Sequence, residues 1–310
     1  RAFFSFCHSV LRPEGFLMHK YSPDKSLGSS WHPWIKEGER QLPIQEDETA
    51  LVIWALWRYY LLSKDLEFIE AVYNGLIRAA ADFMVLYRDA GTGLPKPSFD
   101  LWEEKFAAST FTASAVFGAL TAAGRFADLL GKVKSQETYL KAAQEIKEGI
   151  LRNLLAESPA DLSSVYGLYN FEVLPPDDER LVRAVRRAEE ALRLKTQIGG
   201  VARHQNDSYF RVGPGYPGNP WFITTLWLAQ YYILKAKSEG DLAPVKECLA
   251  WVARYARPSG ILSEQLHPFT GEQLSVAPLT WSHAELVITV IKYLDKLELL
   301  GVCPACNPVY

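Results

Sequence analysis

The sequence predicts an all-α fold, a ring of six helical hairpins in which inner helices are surrounded by outer helices. Helix-like segments that are apolar on nearly all sides alternate along the chain with amphipathic segments. The apolar segments begin near residues 48, 106, 220 and 280. Their intervals are close to one or two multiples of ~58 residues, which is longer than common solenoid repeats and fits one inner and one outer helix.

The first half of the chain shows this alternation clearly. Residues 1–11 are helix-like and are expected to form an outer helix. Residues 49–62 are apolar nearly all round, whereas residues 66–88 carry apolar side chains on one face and charged ones on the other. Residues 110–130 are again apolar and rich in small side chains, and residues 140–154 show an apolar stripe with Lys and Glu opposite.

The second half continues the pattern with one gap. A further inner helix is expected within residues 163–180, but this segment is a poor helix until about Asp178, so the slot is skipped or degenerate. Residues 220–234 are apolar, residues 242–256 are amphipathic, and residues 280–294 return to the buried type.

The length of the chain is shorter than the repeat requires. Six hairpins of ~58 residues each need more than the 310 residues present. The helix-like start has no inner partner, so we expect the N-terminal part of a larger protein to be missing. Residues 1–310 are then expected to form a single α/α domain that is incomplete at its N-terminus.

Composition excludes several classes of partner. A net charge of -3 and a pI of about 6.1 favour neither nucleic acid nor an anionic membrane, and no apolar run is long enough to span a bilayer. Four cysteines, including a lone C-x-x-C at Cys303 and Cys306, give weak support for zinc or redox chemistry. The absence of a dense disulfide framework favours a cytoplasmic protein, while secretion stays open. Oligomeric state is not predicted.

Loops rich in acids and aromatic residues precede the apolar helices. They span residues 27–48, 97–104, 199–221 and 260–274. If the inner helices run parallel in a ring, these loops lie on the same rim and converge on one funnel. A funnel lined by carboxyl and aromatic groups is typical of sites that bind sugars.

The second of these loops contains a candidate general acid. Asp100, Glu103 and Glu104 surround Trp102 in the sequence "DLWEE". Packing against an indole and the like charge of its neighbours both favour the protonated form of a carboxyl group, so Glu103 or Glu104 is expected to hold a proton near neutral pH. The structural alternative is that these acids cap the following helix or interact with its dipole.

The fourth loop contains a candidate general base. Glu264 lies in a bent loop between a glycine and a proline, and Glu272 in the same loop is a competing candidate. Alone, Glu264 is more simply a solvated loop acid. Paired across the rim with Glu103 it completes the acid and base that glycoside hydrolysis requires.

The remaining loops offer groups that bind sugars. The candidates are Arg203, Asp207, Tyr209, Trp221, Trp31 and Trp34. Each has a structural alternative: an ion pair with Asp207 that braces the loop for Arg203, and core packing for any single tryptophan. Asp47 and Glu48 begin a helix, where charge–dipole stabilisation explains them. The six histidines form no i, i+4 pair, and nucleotide-binding and serine-nucleophile motifs are absent, so no metal or organic cofactor is expected.

Four stretches of the chain together resemble the catalytic domain of the glucoamylase family, glycoside hydrolase family 15, of the bacterial and archaeal type. They are "LGSSWHPW…LPIQEDETALVIWALW", "PSFDLWEE…TFT", "IGGVARHQNDSYF…GNPWF" and "ILSEQLHPFTGEQLSVAPLTWSHAELV", between about residues 15 and 290. The family also contains glucodextranases and trehalases. The resemblance implies an (α/α)6 barrel, no cofactor, and an α-glucan or oligosaccharide as substrate.

The resemblance also implies roles for individual residues. Glu103 corresponds to the general acid and Glu264 to the general base. The implied substrate-binding and supporting residues are Asp100, Trp102, Glu104, Arg203, Asp207, Tyr209 and Trp221. One of Trp31 and Trp34 corresponds to the tryptophan at the mouth of the pocket, and the resemblance does not decide which.

This chain departs from the family at its start. Members carry a W-x-R-D segment whose Arg and Asp grip the terminal glucose, and bacterial and archaeal members also carry an N-terminal β-sandwich. Neither is present in residues 1–310. The resemblance therefore implies the catalytic pair but only part of the innermost subsite.

The sequence thus predicts an inverting, exo-acting glycoside hydrolase that releases β-glucose from nonreducing ends of α-glucans and malto-oligosaccharides. One alternative is the same chemistry on trehalose or an α-1,6-glucan. Another is a non-catalytic domain on the same fold that senses carbohydrate.

Overall fold

A computed structural model describes residues 1–36, 38–155 and 160–304, with only the backbone at Lys36, so Cys306 lies outside the described residues. The described chain is mainly helical. Its α-helices are α1 Ala2–Val10, α2 Glu46–Ser63, α3 Leu66–Val72, α4 Ala79–Leu86, α5 Thr110–Leu129, α6 Val133–Asn153, α7 Leu162–Asn170, α8 Glu179–Leu192, α9 Phe222–Lys235, α10 Ala243–Tyr255 and α11 Thr280–Leu299. A π-helical turn, Tyr73–Arg78, joins α3 to α4, and a 3-10 turn, Gly240–Leu242, precedes α10.

Short strands form three antiparallel hairpins, each placed ahead of a long helix. The pairs are β1 Ile35–Lys36 with β2 Glu39–Arg40, β3 Ser98–Phe99 with β4 Phe106–Ala107, and β5 Gln265–Leu266 with β6 Gln273–Leu274. They lead into α2, α5 and α11 respectively. The sequence predicts loops for these segments, because two-residue strands are too short to show a strand pattern.

The chain forms two compact units. Unit 1 comprises Arg1–Glu157 with Asn170–Val173, and unit 2 comprises Ser158–Tyr169 with Leu174–Tyr310. The single domain expected from the sequence stays a prediction.

Unit 1 is organised around α5, which packs against both α2 and α6. Its many Ala and Gly residues let neighbouring helices approach closely. At Gly118, for example, an added Cβ would lie 3.0 Å from the ring of Phe171 and 3.3 Å from Trp54. Ile53 and Leu120 are fully buried in this core.

The sequence predicted one amphipathic helix over residues 66–88, and the structure interrupts it with the π-helical turn. Gly75 lies in that turn, and a Cβ there would be 2.0 Å from Nε2 of His8 in α1. The close approach of α1 explains why this position is glycine.

Unit 2 is organised around α9, which packs against α10 and α11. One cluster of its core contains Ile233, Val245 and Leu297. A second cluster contains Leu226 and Val252. The apolar α9 and the amphipathic α10 are thus the inner and outer members that the sequence predicted for residues 220–256.

The expectation of a poor helix before Asp178 is wrong for residues 162–170, which form α7. Asp161 starts this helix, since its Oδ1 accepts a hydrogen bond from the backbone N–H of Ser163 at 2.8 Å. Val165 and Leu168 are buried, so tertiary packing overrides the weak helix propensity of this segment. The next helix, α8, does begin after Asp178, as predicted.

Within residues 1–36, 38–155 and 160–304, no helix combines the length and the apolar character needed to cross a membrane.

Candidate active site

The acid-rich stretch ahead of α5 folds as the loop of a β-hairpin. Asp100 is buried, and its Oδ1 accepts hydrogen bonds from the backbone N–H groups of Glu104 and Lys105, at 2.9 and 3.0 Å. Helix α5 begins only beyond the hairpin, where the side chain of Ser109 caps it. The helix-capping explanation is therefore wrong for these acids, and Asp100 instead closes the loop that carries Glu103.

Two hydrogen bonds fix this hairpin to the segment that enters α2. The backbone N–H of Phe99 donates to the carbonyl of Ile44 at 3.1 Å, and Nε2 of Gln45 donates to the carbonyl of Asp100 at 2.7 Å. Both contacts are buried. The loop is thus anchored to a long helix, which limits its movement.

Glu103 lies at the turn of the hairpin loop. Its backbone N–H donates to the carbonyl of Asp100 at 2.8 Å, and its φ of 60° is in the left-handed region. The side chain is 32% exposed, so the carboxyl group is accessible without being fully solvated. Its Oε1 lies 3.4 Å from Nε2 of His19, whose side chain is only 7% exposed.

Three stacked rings lie beside Glu103. His32 stacks on Phe99 with ring centroids 3.9 Å apart and planes 5° apart, and His19 stacks on His32 at 4.2 Å and 28°. His32 is buried, and burial lowers its pKa, with His19 adding to the effect. No sequence pattern marked either histidine, because their place beside Glu103 depends on contacts with residues far away in the chain.

The first turn of α2 contains three carboxyl groups in a region largely removed from water. Glu46 and Asp47 are buried, and Glu48 is partly buried. Burial raises the pKa of Asp47 to about 7 and that of Glu48 to about 9, and it raises that of Glu46 as well. Oδ2 of Asp47 accepts a hydrogen bond from the hydroxyl of Thr112 in α5. Burial, rather than interaction of solvated carboxylates with the helix dipole, therefore dominates the electrostatics of this turn.

The tryptophans of unit 1 divide into exposed and buried residues. Trp31 and Trp34 are 61% and 55% exposed, so the core-packing alternative is wrong for both. Trp31 meets His19 edge to face at 4.9 Å. Trp102 is buried and supports the acid loop from within, whereas the adjacent Glu104 is exposed.

In unit 2, Glu264 immediately precedes β5. Its backbone N–H donates to the carbonyl of Val276 at 3.0 Å, which extends the pairing of the hairpin. Its Oε2 accepts a hydrogen bond from the hydroxyl of Ser275, and that hydroxyl lies 3.5 Å from the hydroxyl of Tyr209. Glu264 is partly buried, whereas the competing Glu272 is exposed at the far end of the hairpin. The geometry thus favours Glu264 over Glu272 as the carboxylate that is held in a fixed orientation.

Arg203 forms a buried ion pair with Asp207. Its Nε and one terminal nitrogen donate to the two carboxylate oxygens at 2.8 and 2.7 Å, and both side chains are almost inaccessible. The guanidinium also lies 4.6 Å from the ring centroid of buried Trp221 and 5.3 Å from that of Tyr209. The loop-bracing alternative for Arg203 is therefore realised in the structure, and core packing holds for Trp221.

The structure thus brings the predicted residues together in two groups. Unit 1 contains Trp31, Trp34, Asp100, Trp102, Glu103 and Glu104, and unit 2 contains Arg203, Asp207, Tyr209, Trp221 and Glu264. The assignment of their roles, the pairing of Glu103 with Glu264, and the absence of a metal or cofactor stay predictions. The residues missed by sequence reasoning are His19, His32 and Ser275.

Most glycoside hydrolases use a pair of carboxyl groups, one on each side of the scissile bond. A sequence model described as "Glycosyl hydrolases family 15" matches residues 40–251 and 243–291. The match covers most of the chain, and the chain belongs to this family. The resemblance identified from its motifs is thereby confirmed.

Known proteins support the same conclusion. A glycosyl hydrolase of Methanocaldococcus jannaschii is 29% identical over 310 residues, covering 93% of this chain and 46% of that protein. An isomaltose glucohydrolase of Kribbella flavida is 28% identical over 308 residues, covering 93% of this chain and 71% of that protein. The chain therefore spans less than half the length of the archaeal relative.

A solved structure of a bacterial glucoamylase complexed with acarbose is similar to this chain with a TM-score of 0.73. The identity is 20%, and the match covers 94% of this chain and 45% of that one. This similarity shows that the chain shares the fold of glucoamylases, the (α/α)6 barrel predicted from the sequence.

Proposed function

We propose that the protein is an inverting, exo-acting glycoside hydrolase that releases β-glucose from nonreducing ends of α-glucans and malto-oligosaccharides. Glu103 is the general acid and Glu264 is the general base. The observation that carries the proposal is that each glutamate is partly exposed at a β-hairpin ahead of a long helix and is held by a polar partner. Membership of glycosyl hydrolases family 15 supports the same chemistry.

The setting of Glu103 suits an acid that must donate a proton. The left-handed backbone at this residue is held by the hydrogen bonds of Asp100, so the direction of the side chain is defined by the loop rather than by free rotation. One carboxyl oxygen faces His19. The other is then the oxygen that carries the proton to the glycosidic oxygen as the C–O bond breaks.

The setting of Glu264 suits a base that activates water. The hydroxyl of Ser275 donates to its Oε2, which leaves the carboxylate oriented and able to accept a proton from water at its other oxygen. In the inverting mechanism that water attacks the anomeric carbon from the face opposite the leaving group. We expect the carboxyl groups of Glu103 and Glu264 to lie about 6.5–9.5 Å apart in the active enzyme.

The sugar-binding residues complete the proposal. Trp31 and Trp34 expose large apolar faces on which pyranose rings can stack. Tyr209 is 39% exposed and is positioned by the buried Arg203–Asp207 pair, whose acceptor oxygen also binds the backbone N–H of Tyr209 at 3.0 Å. Asp100, Trp102 and Glu104 shape the acid loop. Trp221 and Arg203 support the site from within unit 2.

Proton NMR of maltotriose hydrolysis tests the proposal directly. We expect β-glucose to appear first and to mutarotate later, and we expect Glu103→Gln to lower kcat by on the order of 10³-fold. Release of α-glucose as the first product would contradict the inverting mechanism. Sugar binding without hydrolysis by the unsubstituted protein would instead favour the carbohydrate-sensing alternative.

The two glutamates of the β5–β6 hairpin provide a matched pair for the base. Glu264→Gln is expected to lower kcat by on the order of 10³-fold. Glu272→Gln, in the same hairpin but exposed, is expected to leave kcat within about twofold. The reverse result would transfer the role of base to Glu272.

An α-1,6-linked substrate is the second candidate, because one relative of this chain is named an isomaltose glucohydrolase. Both linkages use the same acid and base, so the choice depends on the shape of the site around the leaving sugar. The ratio of kcat/KM for maltose and isomaltose distinguishes the two. A ratio above one favours the α-1,4 proposal, and a ratio below one favours α-1,6.

A further inference from the structure

The side chain of His19 is buried beside Glu103, and the proposed acid–base mechanism does not use it. We propose that His19 is a positioning residue for the general acid: its Nε2–H donates a hydrogen bond to Oε1 of Glu103 and keeps the acidic proton on Oε2. This inference rests on the proposed function, since it takes Glu103 as the acid. The proposal is based on the 3.4 Å distance between Nε2 of His19 and Oε1 of Glu103, and on the His19 side chain being only 7% exposed.

The ring stack ties His19 to the same hairpin that carries Glu103. Phe99 is the last residue of β3, and His32 covers its ring almost in parallel. His19 in turn covers His32. The contacts therefore run from the hairpin through three rings and return to the hairpin loop at Glu103. Because these contacts both start and end on the same hairpin, they fix the imidazole of His19 relative to the carboxyl group of Glu103.

The polar contacts of the second ring nitrogen are compatible with the tautomer that places the hydrogen on Nε2. The backbone N–H of His32 donates to Oγ of Ser30 at 3.1 Å, and that hydroxyl lies 3.0 Å from Nδ1 of His19. Because its oxygen already accepts from His32, the Ser30 hydroxyl can direct its hydrogen to Nδ1. In the tautomer that the proposal requires, Nδ1 accepts this hydrogen bond and the hydrogen is on Nε2.

This arrangement favours the transition state over the ground state. The Nε2–H can donate to Oε1 whether Glu103 is a carboxylic acid or a carboxylate, so no proton passes through His19. As the proton moves from Oε2 to the glycosidic oxygen, negative charge develops on Glu103. The hydrogen bond from His19 then becomes charge-assisted and shortens from its present length. Such a gain appears in kcat rather than in KM.

The other groups facing Glu103 make a donor at this place useful. The carboxyl groups of Asp47 and Glu48 interact electrostatically with Glu103, and that of Asp100 interacts in the same way with Asp47. Burial raises the pKa of both Asp47 and Glu48, which reduces the negative charge that they place near Glu103. His32 stays neutral, since burial lowers its pKa. Nε2 of His19, 3.4 Å from Oε1 of Glu103, offers a hydrogen-bond donor to the developing carboxylate.

Two amide variants at position 19 test the role with matched chemistry. The amide nitrogen of Gln occupies about the place of Nε2, whereas that of Asn reaches only the place of Nδ1. We expect His19→Gln to stay within about fivefold of the unsubstituted kcat on maltotriose and His19→Asn to lose on the order of 10²-fold, with KM changed less than threefold in both. Equal losses in the two variants, or a loss carried by KM, would overturn the proposal.

A substrate that needs no acid separates failure of this inference from failure of the proposed function. α-Glucosyl fluoride releases fluoride, which leaves without protonation. If Glu103 is the acid, Glu103→Gln loses far more activity on maltotriose than on the fluoride, and we expect His19→Asn to show the same selectivity. If Glu103→Gln lacks that selectivity, the proposed function fails. If Glu103→Gln shows it and His19→Asn affects both substrates equally, only the role of His19 fails.

NMR of the imidazole ring gives a readout that requires no turnover. In protein labelled with ¹⁵N-histidine, we expect His19 to show a protonated Nε2 and an unprotonated Nδ1, with the Nε2 signal shifting in Glu103→Gln. A Nδ1–H tautomer, or a signal indifferent to that substitution, would contradict the proposed hydrogen bond. His19→Gln, which removes the signal, assigns it among the six histidines.

Discussion

Glu103 and Ser275 both adopt a left-handed backbone although neither is glycine, with φ of 60° and 64°. This conformation is unfavourable for residues with a Cβ and persists only where the surroundings enforce it. Here each residue provides one partner of a proposed catalytic contact, the acid itself in one case and the hydroxyl bound to Glu264 in the other. The same conformation also occurs at residues such as Lys25 and Lys64, so it is not confined to the proposed site. At Glu103 and Ser275, however, it directs a side chain that the mechanism uses.

Two substitutions of Ser275 separate its hydroxyl from its backbone. Ser275→Ala and Ser275→Gly both remove the donor to Glu264, and we expect each to lower kcat by on the order of 10- to 10²-fold. Glycine tolerates the left-handed backbone, so Ser275→Gly should be more stable than Ser275→Ala by about 1 kcal/mol. Steady-state kinetics and urea unfolding measure the two effects. Wild-type kcat in either variant would show that the hydroxyl does not position Glu264.

The buried Arg203–Asp207 pair is expected to be important for stability. Asp207→Ala leaves a guanidinium that is 4% exposed without its bidentate acceptor, and we expect a loss of about 3–5 kcal/mol in the free energy of unfolding. The exposed Arg186–Glu190 pair serves as a control, because Glu190→Ala should cost less than about 1 kcal/mol. Urea unfolding compares the variants. Equal losses would mean that burial adds nothing to the first pair.

At the scale of one element, the first turn of α2 links stability to pH. Burial raises the pKa of Asp47 from 3.8 to about 7 and that of Glu48 from 4.5 to about 9. At these two groups, the folded protein therefore binds more protons than the unfolded chain above about pH 4. Stability falls as pH rises through the interval between the two pKa values of each group, by up to about 1.4 kcal/mol per pH unit and group.

Glu48→Gln tests this dependence. The substitution removes one group that must stay neutral, so the variant should lose less stability than the unsubstituted protein between pH 5 and pH 9. Free energies of unfolding in urea at several pH values provide the measurement. Glu179→Gln, an exposed acid in the first turn of α8, serves as the control and should leave the pH dependence unchanged. Parallel curves for Glu48→Gln and the unsubstituted protein would contradict the argument.

Long helices were predictable because their apolar period extends over several turns, as in α5 and α9. The hairpins were not, because two-residue strands carry no period and their pairing is decided by contacts with neighbouring helices. In the site, loop composition limited the candidates to Glu103 or Glu104 for the acid and to Glu264 or Glu272 for the base, and only the family resemblance implied Glu103 and Glu264. Loop composition did not select His19, which is 84 residues from its partner, or the exposure of Trp31, because both depend on how distant segments meet.

At the scale of the whole molecule, the proposed acid belongs to unit 1 and the proposed base to unit 2. We propose, as the sequence predicts, that residues 1–310 fold as one domain. Urea unfolding followed by tryptophan fluorescence and by circular dichroism should then give one coincident transition. Leu120→Ala in unit 1 and Leu226→Ala in unit 2, both fully buried, should each move that whole transition by about 2–5 kcal/mol.

Two transitions would refute the single domain, particularly if each leucine variant moved a different one. The surface substitution Glu190→Ala provides the baseline for both experiments. The result also bears on catalysis, since an acid and a base on one folding domain are lost together when it unfolds.

The edge-to-face contact of Trp31 with His19 provides an intrinsic fluorescence signal with which sugar binding can be followed. An indole that is 61% exposed emits at long wavelength, and a neighbouring imidazole quenches it to a degree that depends on its protonation. A sugar ring stacking on Trp31 would displace water and shift the emission to the blue. Binding constants for unhydrolysed inhibitors can therefore be measured without a label. Trp31→Phe should remove most of the signal, and Trp251→Phe in α10 serves as the control that should retain it.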